Sequence, residues 1–309
     1  MRALFVFLDG VGLGPPTASN PFAALDLPAF ERLAGGQRWT AEARPVRRPR
    51  HVFVPLDATL GLDGLPQSGT GQAALFTGEN AAAVHGRHYG PTPPTTVRPL
   101  VAERNVFARL AAAGVPTARL AFANAFPARF FRAAEARGRW TATTLAATSA
   151  GVRLRTADDL AVGRALPADL TGEAWARLLD ADHTPQSEAD AARQLVALLD
   201  DHAFVLFEYF LTDKAGHSRD ADRAAAVLHS LDRFFGALLE ALTDDALLVV
   251  TSDHGNLEDL STKSHTRSPV PLVAWGDGAE AFADAASLLD VTPALARLAG
   301  GAQPSGGAA

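Results

Sequence analysis

Three short apolar runs along the chain each end just before an acidic residue: Ala3–Leu8 before Asp9, residues 204–210 before Asp213, and 246–250 before Asp253. Continuous Val/Leu/Phe runs without polar alternation predict strands covered on both faces, as in a mostly parallel sheet, where ligands sit beyond the carboxyl ends of the strands. Between the last two runs, Val227, Leu228, Leu231, Phe234, Phe235, Leu238, Leu239 and Leu242 recur at helical spacing. That stripe predicts an amphipathic crossover helix and hence a βαβ unit. A further strand is expected over 270–275 and a closing helix over 288–298, followed by a disordered Gly/Pro/Ala tail. Residues 106–115 read as a helix and 117–122 as a strand that can join the main sheet. From 124 to 183 the pattern changes to Arg/Ala/Thr-rich segments punctuated by Gly151, Gly163 and Gly172. The expected fold is therefore α/β: a mostly parallel central sheet flanked by helices, built from 1–123 and 184–309, with 124–183 as a small inserted cap.

Length agrees, since 309 residues exceed the usual size of a single core. Apolar residues at 48% and charged residues at 20% are ordinary globular usage. The N-terminal apolar run is too short for a signal peptide, and charges interrupt every long Ala/Leu stretch, so a cytoplasmic protein with no membrane span is expected. A net charge of −6 leaves no basic footprint for nucleic acid, and the arginines from 44 to 50 read as a solvated loop. With no cysteine, a metal can be held only by Asp, Glu and His. The sequence is silent on oligomeric state.

The polar residues after the runs are the candidates for chemistry. Asp253 and His254 stand together in Thr251-Ser252-Asp253-His254-Gly255-Asn256, and His265 follows eleven residues after His254, again just before an apolar run. Asp213 and His217 form a second pair, and Asp9 precedes Gly10, Gly12 and Gly14. Singly, each reads as a turn-opening aspartate or a surface histidine. Three Asp and three His placed mostly after strands read instead as a site for hard or borderline divalent cations, Mn²⁺ or Zn²⁺. Ser68 and Thr70 lie in the Gly-rich turn Gln67-Ser68-Gly69-Thr70-Gly71-Gln72, which opens an apolar helical stretch. Free backbone N–H groups at a helix start bind phosphate well, so either hydroxyl is a candidate nucleophile, against the plainer reading of an N-cap.

These segments resemble the alkaline-phosphatase superfamily, and within it the branch of cofactor-independent phosphoglycerate mutases and phosphopentomutases. The resemblance spans both ends of the chain but not its middle. Asp253-His254-Gly255-Asn256 and His265-Thr266-Arg267 are its most specific matches, and Ser68 stands ten positions before Gly78, as the superfamily's nucleophile stands before the Gly of a small-residue helix. The resemblance thereby favours Ser68 over Thr70. It implies two divalent metal ions, one held by Asp213, His217 and His265, the other by Asp9, Ser68, Asp253 and His254. It implies a phosphoserine intermediate and a small phosphorylated substrate, in a phosphomutase or phosphohydrolase. Asn20 also resembles an Asn found in the mutases. The chain departs from phosphoglycerate mutases in carrying Ser-Gly-Thr-Gly-Gln where they have Ser-Glu-Val-Gly-His, and their cap substrate motifs are not found.

The only two lysines, Lys214 and Lys263, lie within or beside these segments in a chain that otherwise uses Arg. Both are candidates to bind a substrate phosphate, as is Arg87 in His85-Gly86-Arg87-His88-Tyr89-Gly90. His51, His183, His202 and His229 have no partner pattern. Rival readings are a phosphodiesterase or pyrophosphatase of the same superfamily, and a non-catalytic, metal-stabilised binding protein. A nucleotide-binding protein fits poorly, because Gly10-Val11-Gly12-Leu13-Gly14 lacks the third Gly of the dinucleotide fingerprint.

Overall fold

Strands β1 (Ala3–Leu8), β2 (Val46–Arg48), β3 (His51–Leu56), β4 (Leu120–Phe122), β5 (Phe204–Tyr209), β6 (Leu247–Ser252) and β7 (Val270–Gly276) form one sheet in the order β2-β3-β7-β6-β1-β5-β4. The computed structural model describes residues 1–137, 140–179 and 184–301. The tail from 302, and the end of the expected cap at 180–183 with His183, lie outside the described residues.

The three apolar runs become the adjacent, parallel strands β6, β1 and β5. All their residues are buried because side chains alternate between two covered faces. Phe5 and Phe7 point to one face, where Phe76 meets them with ring centroids at 5.9 and 5.3 Å. Leu4, Val6 and Leu8 point to the other, in one core with Leu228, Leu231 and Phe235 of the crossover helix Ala221–Ala241. Register aligns Leu8 with Tyr209 on one side and Ser252 on the other. The carboxyl ends of three strands are thus level, and the chain leaves each at Asp9, Phe210 and Asp253.

The helix Ser68–Thr77 is buried over its whole length. Such a helix shows no polar face, and its small residues let it lie close to the sheet. A Cβ on Gly71 would stand 2.9 Å from the Asp253 carbonyl oxygen, and one on Gly69 2.4 Å from that of Thr92. The helix ends on Gly78 at φ 72, against Pro293.

The edges differ from the sequence reading. The 270–275 strand is present as β7 but runs antiparallel to β6 and to β3. The arginines from 44 to 50 are only partly a loop: residues 46–48 pair with β3, while Arg44 precedes the strand and Arg50 at φ 62 makes the turn. Their guanidinium groups remain exposed, so the backbone pairs while the charges stay hydrated. Residues 117–122 divide into a short 3₁₀ turn and β4, which extends the main sheet beside β5. The 124–183 interval is also divided. Its helix Ala142–Ser149 sits in the main core, where Ala142, Ala146 and Ala147 pack with Phe76 and Phe204. Ala125, Leu160, Ala165 and Trp175 form a small cluster of their own. No described helix is long and apolar enough to cross a membrane.

Candidate metal centre

At the level carboxyl ends, the six Asp and His side chains singled out by sequence converge. Asp213 and His217 are one turn apart on the helix Leu211–Ser218, so both face the same way, with Asp213 Oδ2 3.3 Å from His217 Nε2. His265 Nε2 lies 3.2 Å from His217 Nε2 and 3.6 Å from Asp213 Oδ1. On the sheet side, His254 Nε2 lies 3.4 Å from both Asp9 Oδ1 and Asp253 Oδ2, and 2.9 Å from Ser68 Oγ. The two clusters adjoin: the His254 and His265 rings stack at 3.8 Å, and Asp213 also groups with Asp9 and His254.

Three observations test whether these donors fit divalent cations. First, ligands about 2.1 Å from a tetrahedral ion stand about 3.4 Å from one another, and the five Asp–His and His–His separations here run from 3.2 to 3.6 Å. Second, the histidines are oriented by backbone carbonyls, which only accept: Nδ1–H donates to Lys263 in His217 and Pro66 in His265, both at 2.8 Å, and to Gly255 in His254 at 3.4 Å. Every Nε2 lone pair is therefore turned to the centre, the arrangement that carbonyl partners impose on metal-binding imidazoles. Third, Asp9 Oδ1 and Asp253 Oδ2 are buried without a hydrogen-bond partner among the described residues. A buried carboxylate oxygen left so is costly unless a cation faces it. Burial, then the neighbouring Asp253 and Asp213, push the Asp9 carboxyl well above its usual range; burial and Asp213 do the same for Asp253. Burial, then charge on His265, pushes His254 down. The donors fit divalent cations.

The surrounding loops hold this geometry. Gly10, at φ 72, turns the chain after Asp9, and a Cβ there would strike Asp213 Oδ1 at 2.7 Å. The Thr212 hydroxyl donates to the Asp9 carbonyl at 2.5 Å, and Gln72 Nε2 to Asp9 Oδ2 at 3.3 Å. Asn256 Nδ2 donates to Asp213 Oδ1 at 2.6 Å.

Sequence reasoning passed over two acidic residues. Glu258, 1% exposed, accepts from the backbone N–H of Gly12 at 2.9 Å and of Asn256 at 2.8 Å, and from the Thr266 hydroxyl. It ties the loops that follow β1 and β6 to the residue beside His265. Glu258→Gln keeps one oxygen for the two N–H groups, which share Oε2, but removes the negative charge and turns the acceptor that faces the Thr266 hydroxyl into a donor. Divalent-metal affinity is expected to fall roughly 10- to 100-fold, the scale seen when support of metal ligands is lost; a calorimetric metal titration reads it.

Glu208, in β5, was hidden as a single charge inside an apolar run. It accepts from the Thr143 hydroxyl at 2.6 Å, and burial pushes its carboxyl up to about 7. The folded state therefore holds a proton that the unfolded chain, near its ordinary 4.5, has lost. Stability falls as pH rises across that window and is flat above it. In chelated protein, Glu208→Gln is expected to exceed wild type by about 3 kcal/mol at pH 8, the advantage vanishing towards pH 4.5. Denaturant unfolding at the two pH values measures it.

The remaining candidates divide. Ser68 opens its helix at the centre, whereas Thr70 is fully buried, with its N–H donating to the Tyr89 carbonyl at 2.9 Å and its hydroxyl accepting from Tyr89 N–H at 3.1 Å. Lys214 Nζ lies 4.3 Å over the Phe210 ring, and partial burial holds its pKa below the usual lysine value. Lys263 is exposed, and the contact it makes at the site is through its carbonyl. Arg87 lies on a cleft with Gln67, the residue before Ser68. Asn20 is buried in local hydrogen bonds: its carboxamide oxygen accepts from Phe22 N–H and its nitrogen donates to the Gly14 and Pro15 carbonyls, a structural role.

Residues 179–301 match the family described as the Metalloenzyme superfamily. The 2,3-bisphosphoglycerate-independent phosphoglycerate mutase of Halobacterium salinarum is 36% identical over 137 residues, which cover 40% of this chain and 27% of that protein. The phosphopentomutase of Mycoplasmopsis pulmonis is 34% identical over 101 residues, covering 31% and 26%. The chain thus spans about a quarter of the length of these relatives. Among solved structures, the PH0037 protein of Pyrococcus horikoshii aligns with a TM-score of 0.56 at 16% identity over 99% of this chain and 98% of that one. Alkaline phosphatase from the Antarctic bacterium TAB5 aligns at 0.56 and 13% identity, over 98% and 99%. These likenesses show the fold.

Proposed function

We propose that this chain, which carries a Metalloenzyme-superfamily domain on an alkaline-phosphatase-like fold, is a two-metal phosphoryl-transfer enzyme that acts through a phosphoserine at Ser68 on a small phosphorylated metabolite. The observation that carries this reading is the Ser68 hydroxyl, 2.9 Å from His254 Nε2 at the start of a ten-residue helix. A metal-stabilised binding protein would not need a hydroxyl there.

In this reading Asp213, His217 and His265 hold one divalent ion, and Asp9, Asp253, His254 and Ser68 the other. Mn²⁺ and Zn²⁺ both suit this oxygen and nitrogen set. Such ions, when bound, acidify a hydroxyl and clamp the attacking and leaving oxygens of an in-line displacement. The protein supplies the rest. The helix start presents backbone N–H groups and a positive dipole end to the phosphate. Ser68 Oγ forms a bond to phosphorus as the bond from phosphorus to the ester oxygen breaks; the hydroxyl proton leaves and the departing oxygen takes one up. Water attacking the phosphoserine releases inorganic phosphate and restores the hydroxyl, whereas return of the phosphoryl group to another hydroxyl of a retained substrate gives an isomer. His217, with its side chain 43% exposed, marks the side open to substrate, and in this reading Lys214 and Arg87 are the cations that meet it.

The unit that excludes water, and so selects between these fates, is in this reading the part of 124–183 outside the Ala142–Ser149 helix. Turnover of a panel of phosphomonoesters, phosphodiesters and sugar phosphates with added Mn²⁺ or Zn²⁺ tests the reading. Metal-dependent release of phosphate, or formation of an isomer, supports it, and the product separates hydrolase from mutase. A phosphodiester as the preferred substrate would point to the phosphodiesterase alternative. No turnover of any ester by metal-loaded protein would contradict it.

A further inference from the structure

A cleft of about 460 Å³ opens beside the nucleophile, lined by Asp63, Gly64, Leu65, Gln67, Arg87, His88, Tyr89 and Gly90. Its walls are fastened to the reactive centre. The Tyr89 backbone exchanges two hydrogen bonds with Thr70, in the first turn of the Ser68 helix. A Cβ on Gly90 would lie 3.5 Å from the Ser68 nitrogen. The opposite wall is held from the metal side, by His265 Nδ1–H on the Pro66 carbonyl and by Arg267 on the Gly64 carbonyl.

The chemistry of the walls is mixed in a particular way. Four large hydrophobic side chains are exposed among the described residues, and two of them, Leu65 and Tyr89, are here. The Tyr89 ring is propped by His85, edge to face at 5.0 Å and 74°, while 37% of the residue stays open to solvent. Asp63 and Arg87 carry one charge of each sign, and neither makes a hydrogen bond or ion pair among the described residues. The cleft therefore offers an apolar shelf with a rigid ring, one free acceptor group and one free fork of donors.

We infer that this cleft receives the leaving group of the phosphoester and that the leaving group is a nucleoside. This inference rests on the phosphoryl-transfer reading of Ser68. A nucleobase supplies the flat face that Tyr89 and Leu65 leave open, since stacking on an aromatic side chain tolerates any base. Ribose hydroxyls donate to the Asp63 carboxylate, and acceptors on the base edge meet the planar fork of Arg87. A three-carbon acid has no face to set against Tyr89 and would leave most of the cleft to water. The cleft is open, and its volume of about 460 Å³ is enough to seat a nucleoside against one wall. The reaction is then nucleoside monophosphate plus water giving nucleoside plus phosphate, with the bond from phosphorus to the ribose oxygen broken and Ser68 Oγ carrying the phosphoryl group between the two steps.

The test compares kcat/KM for adenosine and guanosine monophosphates with that for ribose 5-phosphate and 3-phosphoglycerate, in wild type, Tyr89→Ala and Tyr89→Phe. The nucleotides are expected to exceed the small esters, with the ratio collapsing roughly tenfold or more in Tyr89→Ala and retained in Tyr89→Phe, the scale of one stacked base. As a readout that needs no turnover, saturation-transfer NMR of adenosine and guanosine on chelated protein should show base protons in contact, with signals lost in Tyr89→Ala. Phosphoserine formation at Ser68 with ribose 5-phosphate or 3-phosphoglycerate preferred over the nucleotides would overturn this inference and leave the phosphoryl-transfer reading standing. Failure of every ester to phosphorylate Ser68 would overturn that reading, and this one with it.

Discussion

Ser68→Ala is expected to lower kcat for the best phosphoester at least about 10³-fold while leaving both metal positions filled, because a covalent route loses its nucleophile outright. In the proposed reading Ser68 contributes one oxygen to a centre otherwise built from three carboxylates and three imidazoles, so removal of that oxygen leaves six candidate donors in place. Thr70→Ala provides the contrast. Its hydroxyl is engaged with the Tyr89 N–H, so its loss disturbs the neighbouring loop rather than the chemistry. A decrease of roughly tenfold or less is expected, the effect of losing one hydrogen bond. Metal content by elemental analysis separates loss of the nucleophile from loss of the ions. Equal, severe losses in both variants with the metals retained would mean that the Gly-rich turn, not the Ser68 hydroxyl, is what matters.

Removal of metal is expected to have the largest effect on stability. A ligand present at about a thousand times its dissociation constant stabilises the folded state by about 4 kcal/mol. For a chain of 309 residues each kcal/mol moves Tm by roughly 1.5 °C, so loss of each ion at pH 8 should lower Tm by about 6 °C. The physical source is local. Without cations, Asp9 and Asp253 lie buried beside each other and Asp213, and their carboxyls are pushed up towards the protonated form. Raised carboxyl pKa values mean that the folded apo state binds protons that the unfolded chain releases, so these groups make the chelated protein less stable as pH rises. Cation binding displaces the same protons and therefore strengthens with pH. The drop in Tm on chelation should accordingly widen from pH 6 to pH 8. A scan with and without chelator at both pH values measures it, and a drop that narrows with rising pH would count against buried carboxylates as the ligands.

The parts legible in sequence were those in which burial leaves a continuous pattern. The runs ending at Asp9, Asp213 and Asp253 are strands of the central sheet, and the stripe from Val227 to Leu242 is the crossover helix, because covered strands and one-faced helices have distinct periods. The candidate site was legible in part because Asp9, Asp253 and His254 follow their strands directly, while Asp213 and His217 lie on the helix after β5 and His265 just before β7. What escaped was placed by packing rather than by period. The strand β3 contains Pro55 and follows four arginines, so it carried no clear apolar signal. The Ala142–Ser149 helix is all Ala, Thr, Leu and Ser; small side chains that pack on every side make no stripe, and the segment read as part of a cap. Glu208 and Glu258 stand alone in the chain and gain meaning only where Thr143, Gly12, Asn256 and Thr266 reach them. Ser68 and Thr70 are two residues apart in one Gly-rich turn, and what distinguishes them in space is which of them meets His254.

The central claim is that Ser68 carries the phosphoryl group. The most direct measurement is acid quenching of metal-loaded enzyme during turnover of its best phosphoester, followed by peptide mass mapping. The account predicts one added phosphoryl group on Ser68, absent from Ser68→Ala and from chelated protein. Full turnover with Ser68 unmodified at every quench time, or the phosphoryl group on Thr70 instead, would contradict it.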